Sequence, residues 1–174
     1  KDEDLLHEVI NIVEYPTVLA GDIDEKYLDL PKEVIITPMK DHQRYFPVLD
    51  ESGNLLPYFL LVRNGDDNHS ENVVLGNKKV LVARLEDAKF FYDIDTAKAL
   101  EDYVEELKNL TFFEGLGTMY QKTQRLMDLT AKYQQQLKLG DDIKEDLQRA
   151  AYLSKADLVT KMVIEFTELE GTMG

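Results

Sequence analysis

"RYFPVLDESGNLLPYFLLV", residues 44–62, sets two apolar runs on either side of the turn-forming string "DESGN". Runs rich in Val, Phe and Tyr, bounded by Asp, Ser, Gly and Asn, read as a β-hairpin. Pro47 and Pro57 cannot donate to a ladder, so at least one of the two strands is expected at a sheet edge or at a bulge.

Upstream of the hairpin, "KEVIITP" (32–38) strings together β-branched residues and predicts a further strand. Thr37 followed by Pro38 then reads as the start of a brief helix, a capping hydroxyl before a proline whose missing N–H costs nothing there. Earlier still, Leu5, Leu6, Val9 and Ile12 or Val13 share one helical face. Pro16 should end that helix, "TVLAG" fits a short strand, and "DIDEKYLDLP" a turn with a short helix.

Downstream, "RNGDDNHSEN" reads as a polar loop, after which Leu81, Leu85, Ala88 and Tyr92 recur at helical spacing with Asn77 as the expected cap. A second helix is expected over 97–110. A long amphipathic helix should begin near Thr118 with Leu126, Leu129, Tyr133 and Leu137 on its apolar side. Another should run through Ile143, Leu147, Ala151, Leu158 and Met162, with Lys155 and Asp157 on opposite sides. Strand patterns stop by about residue 95. The expected class is therefore α+β: residues 1–110 carry a mixed or antiparallel sheet with helices, and 111–174 form an all-helical, incomplete segment hinged at the glycines of "EGLGT".

The composition, 44% hydrophobic and 31% charged, is that of a folded chain rather than a disordered one. No apolar run approaches the ~20 residues that span a bilayer, so no membrane association is expected. The opening "KDEDLLHEV" lacks the basic-then-apolar order of a signal peptide, which makes the cytoplasm the plain expectation. With no Cys there is no thiolate nucleophile and no Cys-based metal site. A net charge of -14 argues against broad, nonspecific nucleic-acid binding. The charge is uneven, however, because Lys78, Lys79, Arg84 and Lys89 fall close together. Any contact with a polyanion should be local.

Two sets of residues stand out as candidate anion or RNA contacts. Lys40, His42, Gln43 and Arg44 form a short polar knot just before the hairpin. Asn77, Lys78, Lys79 and Arg84 lie in "GNKKVLVAR"; with Asn77 as cap, the two lysines would occupy a first helical turn where cations are disfavoured and a phosphate would be welcome. His42 beside Asp41 could instead be a base with its orienter, but neighbours along a helix do not face each other, so binding or packing is the stronger reading. No catalytic residue is assigned. His7, His42 and His69 lie in unrelated segments and make no ligand pair, so no metal site is expected. Asp93 and Asp95 read simply as helix-end and turn residues. In "KFFY" (89–92) three successive aromatics cannot all share a core face, and Phe90 is the expected misfit.

The strings "EYPTVLAGDIDEKYLDLPKEVIITPMKDHQRYFPVLDESGNLLPYF", "GNKKVLVARLEDAKFFYDID", "LEDYVEELKNLTFFEGLGTMYQKTQRL" and "RAAYLSKADLVTKMVIEFTELEGTMG" follow one another as in the beta subunits of bacterial tetrameric glycyl-tRNA synthetases. The chain resembles that family over essentially its whole length. The resemblance implies an internal fragment of a longer subunit, lacking an N-terminal portion and the anticodon-binding region. It further implies a heterotetramer in which the alpha subunit activates glycine with ATP and Mg2+, while this fragment binds no cofactor of its own. The implied partners are that alpha subunit, tRNA-Gly and the remaining domains of the beta subunit.

By the same resemblance, the first part is similar to the B3/B4 module of phenylalanyl-tRNA synthetase beta chains and the second to the start of an HD-like domain. An active HD phosphohydrolase needs histidine ligands. The helical part has no histidine, and "SKAD" (154–157) stands where an H-D pair would be expected. An editing role for the first part has no support either, since no smaller amino acid exists for a sieve to admit. Two readings remain open: an RNA-contacting accessory segment with an open basic ridge, or a structural scaffold whose cations turn into salt bridges with its many carboxylates.

Overall fold

Residues 46–64 form the expected hairpin, with β2 (Phe46–Leu49) antiparallel to β3 (Leu55–Asn64). The computed structural model describes residues 2–174, apart from the side chain of Asp141. Strand β1 (Pro16–Asp22) pairs antiparallel with the other side of β3, giving the order β1-β3-β2. Pro47 thus sits on an edge strand. Pro57 sits in the central strand, where the β2–β3 register shifts between Phe59 opposite Pro47 and Leu55 opposite Leu49, so the ladder has a gap at the residue that cannot donate. Gly21 pairs with Phe59, whose ring fills the place a Cβ would take, 2.4 Å from the nearest ring carbon.

The segment "KEVIITP" corrects the strand expectation, since Lys32–Thr37 is helix α2. Val34, Ile35, Pro38 and Met39 are buried, a helical i, i+1, i+4, i+5 stripe. Packing of that stripe outweighs the β preference of four branched side chains, because a short apolar run carries no decisive period. Nor does Thr37 cap a new helix: it is itself helical with no capping bond, and the chain continues into a π turn over Pro38–His42. The wider turn suits a proline that has no N–H for the normal helical bond. It closes with Tyr45 N–H on the Met39 carbonyl at 2.8 Å and with Arg44 left-handed at φ 59.

Helix α1 (Glu3–Ile12), capped by Asp2, buries Leu5 and Val9 as its spacing predicts. Helix α3 runs Ser70–Asp95 and buries Leu81, Leu85 and Ala88, but it begins well before Asn77. The chain divides into two units within this helix, Lys1–Phe90 and Phe91–Gly174, rather than at the "EGLGT" glycines.

The second unit is mostly but not wholly helical. After α4 (Leu100–Val104) and a 3-10 turn over Glu105–Asn109, strands β4 (Thr111–Phe113) and β5 (Gly117–Thr118) make a small hairpin. "EGLG" is therefore a turn, with Gly115 and Gly117 at positive φ, and not a hinge. Thr118 and Gln121 form a capping box that starts α5 (Met119–Gln136). Its buried face runs through Met119, Thr123 and Gln134, so Leu129, Tyr133 and Leu137 are exposed, contrary to the expected stripe. The last expected helix is broken: α6 (Lys144–Leu153) stops at Ser154, a 3-10 turn takes Ala156–Val159, and α7 (Lys161–Glu165) starts from Thr160. Tyr103, Val104, Leu107, Met119 and Ala156 make one core cluster of this unit, and Met162, Val163, Phe166 and Leu169 are buried as well.

Candidate functional site

The eight residues singled out in the sequence all lie in the first unit, and the structure brings only some of them together. Tyr45, 4% exposed, stacks on Phe59 with ring centroids 5.0 Å apart and donates its hydroxyl to Asn77 Oδ1 at 2.5 Å. Gln43 Oε1 lies 3.5 Å from the same hydroxyl. Burial raises the Tyr45 phenol above its ordinary value. Gln43, Arg44 and Asn77 therefore converge at a cleft of ≈ 270 Å³, walled by Val9, Val13, Leu61 and Val73. Arg63 also lines it, a residue that strand alternation alone would have left unmarked.

Asn77 does not cap a helix. It sits inside α3, and its Nδ2 donates back to the Val73 carbonyl at 2.7 Å. With the helix beginning at Ser70, Lys78 and Lys79 are not in a first turn, and the electrostatic reason for a phosphate there falls away.

Most of the cations in these two sets are held by carboxylates of the chain itself. Lys40 Nζ meets Asp2 Oδ2 at 2.7 Å, Arg44 Nε meets Glu8 Oε1 at 2.5 Å, and Lys78 Nζ meets Asp22 Oδ2 at 2.7 Å. The lysine hydrogen bonds lower the carboxyl pKa values of Asp2 and Asp22, and Asp2 in turn raises that of Lys40. Arg44 also donates to the Asp41 carbonyl, which fixes its left-handed turn. His42 ends the π turn half-buried, Arg84 is half-buried on α3, and Lys79 is exposed. Such surface pairs contribute ~0–1 kcal/mol each, so they hold the side chains in place without committing them against a stronger anion.

In the second unit the buried carboxylates are structural. Asp157, within "SKAD", accepts from Gly171 N–H at 2.6 Å and is 2% exposed. Asp95, read in the sequence with Asp93 as helix-end and turn residues, ends α3 and accepts from the backbone N–H groups of Lys161 and Met162. Among the described residues no three His, Asp or Glu side chains come together as a metal would require. No helix among them is long and apolar enough to cross a membrane.

Comparison with known proteins sets the chain among the components of aminoacyl-tRNA synthetases. The family model for the glycyl-tRNA synthetase beta subunit matches residues 1–174, and the chain belongs to that family. It is 60% identical over 173 residues to the glycine–tRNA ligase beta subunit of Clostridioides difficile. It is 56% identical to that of Ligilactobacillus salivarius and 55% to that of Lactiplantibacillus plantarum, again over 173 residues. Each alignment takes in 99% of this chain and 25% of the relative, so the chain spans about a quarter of the length of the curated relatives it matches.

Proposed function

We propose that this chain serves within the beta subunit of a cytoplasmic, heterotetrameric glycine–tRNA ligase, where it supports tRNA recognition while glycine is joined to tRNA-Gly at the expense of ATP. The aminoacylation site, with its ATP and Mg2+, resides on the alpha subunit, and this segment contributes no catalytic group. Within the subunit, residues 1–110 correspond to a B3/B4-like region and residues 111–174 to the start of a degenerate HD-like domain. The observation that carries this reading is the family match across the full chain, with relatives at 55–60% identity named as glycine–tRNA ligase beta subunits.

A second reading is favoured by the ion pairs. Lys40, Arg44 and Lys78 resting on Asp2, Glu8 and Asp22 are what a purely structural scaffold would show. The two readings separate in a tRNA-Gly binding series over increasing salt, using the two-subunit enzyme with Lys78 and Lys79 changed to Gln. A flattening of log K against log salt by about one unit per lost phosphate contact supports RNA contact at this face. An unchanged slope assigns the basic set to scaffolding.

A further inference from the structure

We propose that Asn64–Gly65 is a modification site, where the asparagine deamidates through a cyclic imide to aspartate and isoaspartate, and that the start of β1 is the latch that holds this reaction back.

Of the asparagines in the chain, only Asn64 is followed by glycine. The reaction begins when the Gly65 backbone nitrogen, its proton taken up by hydroxide, attacks the Asn64 side-chain carbonyl carbon. A new C–N bond closes a five-membered succinimide, and the side-chain nitrogen leaves as ammonia. Water then opens the ring at one of its two carbonyls. One opening gives Asp, the other isoAsp, in which the main chain runs through the former side chain. Glycine favours the attack because the missing Cβ leaves the nitrogen open and the backbone free to turn. Gly65 stands at φ 143, a conformation that residues with side chains rarely adopt.

Asn64 is exposed to the water that the reaction needs. What restrains it is a set of three hydrogen bonds to the segment that starts β1. Gly65 N–H donates to the Tyr15 carbonyl at 2.8 Å, which occupies the nucleophile. Tyr15 N–H donates to Asn64 Oδ1 at 2.9 Å, which fixes the electrophile. Thr17 Oγ1 donates to the Gly65 carbonyl at 2.6 Å and holds the glycine from its other side. Asn64 also ends β3 opposite Pro16, and ring closure requires it to leave the extended backbone of that pairing.

The imide therefore forms from an opened state in which the first residues of β1 have come away from β3. That opening is local. Strand β1 lies at an edge of the sheet, and Pro16 and Asn64 are the last pair of its ladder. Ends of elements open at much lower free energy than the core they flank.

The products do not fit back into the closed ladder equally well. Asp keeps an acceptor for Tyr15 N–H, but it adds a charge beside Asp66 and Asp67, with Arg63 Nη2 3.8 Å from Asp66. IsoAsp adds a main-chain atom, which breaks the register of Asn64 with Pro16 and the tie of Gly65 to Tyr15. Loss of ammonia makes the step one-way, so each event leaves the end of β1 released.

The test uses the two-subunit enzyme with its complete beta subunit, held in mildly alkaline buffer and sampled over time by peptide mapping that separates Asp from isoAsp. A synthetic peptide of residues 60–70 sets the unlatched rate. The wild-type protein should deamidate at position 64 at least ~10-fold more slowly than the peptide, and Asn64→Gln should abolish the product peak. Thr17→Val should speed the reaction roughly fivefold, the effect of one net hydrogen bond on an opening equilibrium, while Thr17→Ser keeps the wild-type rate. A second measurement needs no variant to fold: the hydrogen-exchange protection of the Gly65 amide in the wild-type protein should equal the ratio of the peptide rate to the protein rate. Equal rates in protein and peptide overturn the latch, as does a Gly65 protection that departs from that ratio. A peptide that forms no Asp or isoAsp at position 64 overturns the site itself.

Discussion

Asp95, the last residue of α3, accepts from Met162 N–H at 2.7 Å, a bond that joins positions 67 residues apart and satisfies the open end of α7. Its other oxygen accepts from Lys161 N–H at 3.0 Å and lies 3.2 Å from the Tyr103 hydroxyl. The first turn of any helix leaves backbone donors unpaired, and Thr160 satisfies only Val163 N–H here. Asp95→Ala should therefore destabilise the protein by ~3 kcal/mol, since charged hydrogen bonds contribute ~1.5–3 kcal/mol and buried donors are left open. Asp95→Asn should cost less but still more than ~1 kcal/mol, because its NH2 end cannot accept. Urea unfolding monitored by circular dichroism checks both values.

Tyr103, 4% exposed and beside Asp95, has its phenol pushed up to about 12 by burial and by the Asp95 charge. The unfolded chain ionises its tyrosines near 10, so the folded state holds this proton longer. The stabilising contribution is full below pH 10 and is lost as pH rises from 10 to about 12. Absorbance titration at 295 nm should show several tyrosines that ionise late, Tyr27, Tyr45 and Tyr103 among them, and Tyr103→Phe should remove the step near 12. The variant's stability should fall less steeply over that window.

Gly21 and Phe59 face each other across β1 and β3 with no room for a methyl group. Gly21→Ala should cost ~1–3 kcal/mol, the usual penalty of overpacking, because Phe59 is fully buried and already stacked on Tyr45. Phe59→Leu in the same chain should recover part of that loss, so the two changes will not add. Chemical denaturation midpoints of the four proteins of the cycle give the coupling.

Tyr45 and Asn77 are tied by the 2.5 Å hydrogen bond that joins the polar knot to α3. Tyr45→Phe should cost ~1–2 kcal/mol, and the cycle with Asn77→Ala should show a coupling of at least ~0.5 kcal/mol. If the two changes are additive, the knot is not held by α3. The melting temperature of each variant, with tRNA affinity measured alongside, distinguishes a structural from a recognition role for this pair.

Much of the secondary structure was legible because its signals are local. The "DESGN" hairpin, the strand after Pro16, and the Thr118 start of α5 all follow from turn, proline and capping chemistry within a few residues. The strand expected over 32–38 failed for lack of such a signal. A run of branched residues too short to show a period takes whichever form buries it, and here the helix buries Val34, Ile35, Pro38 and Met39. Asn77 failed as a cap because "SEN", at the end of the presumed loop, already begins the helix. The glycines of "EGLGT" were visible, but their use in a hairpin depended on Thr111 and Thr118 pairing.

The sequence by itself determined the family, the α+β class and the main turns, since an ordered set of strings and local backbone preferences survive without any knowledge of packing. Only the tertiary structure decided which side chains meet. It joined Tyr45 to Asn77 and Asp95 to Met162, put Asp2, Glu8 and Asp22 on three of the candidate cations, and turned Leu129, Tyr133 and Leu137 outward. Contacts between residues far apart in the chain depend on how elements pack, and the pattern within any one element does not contain that information.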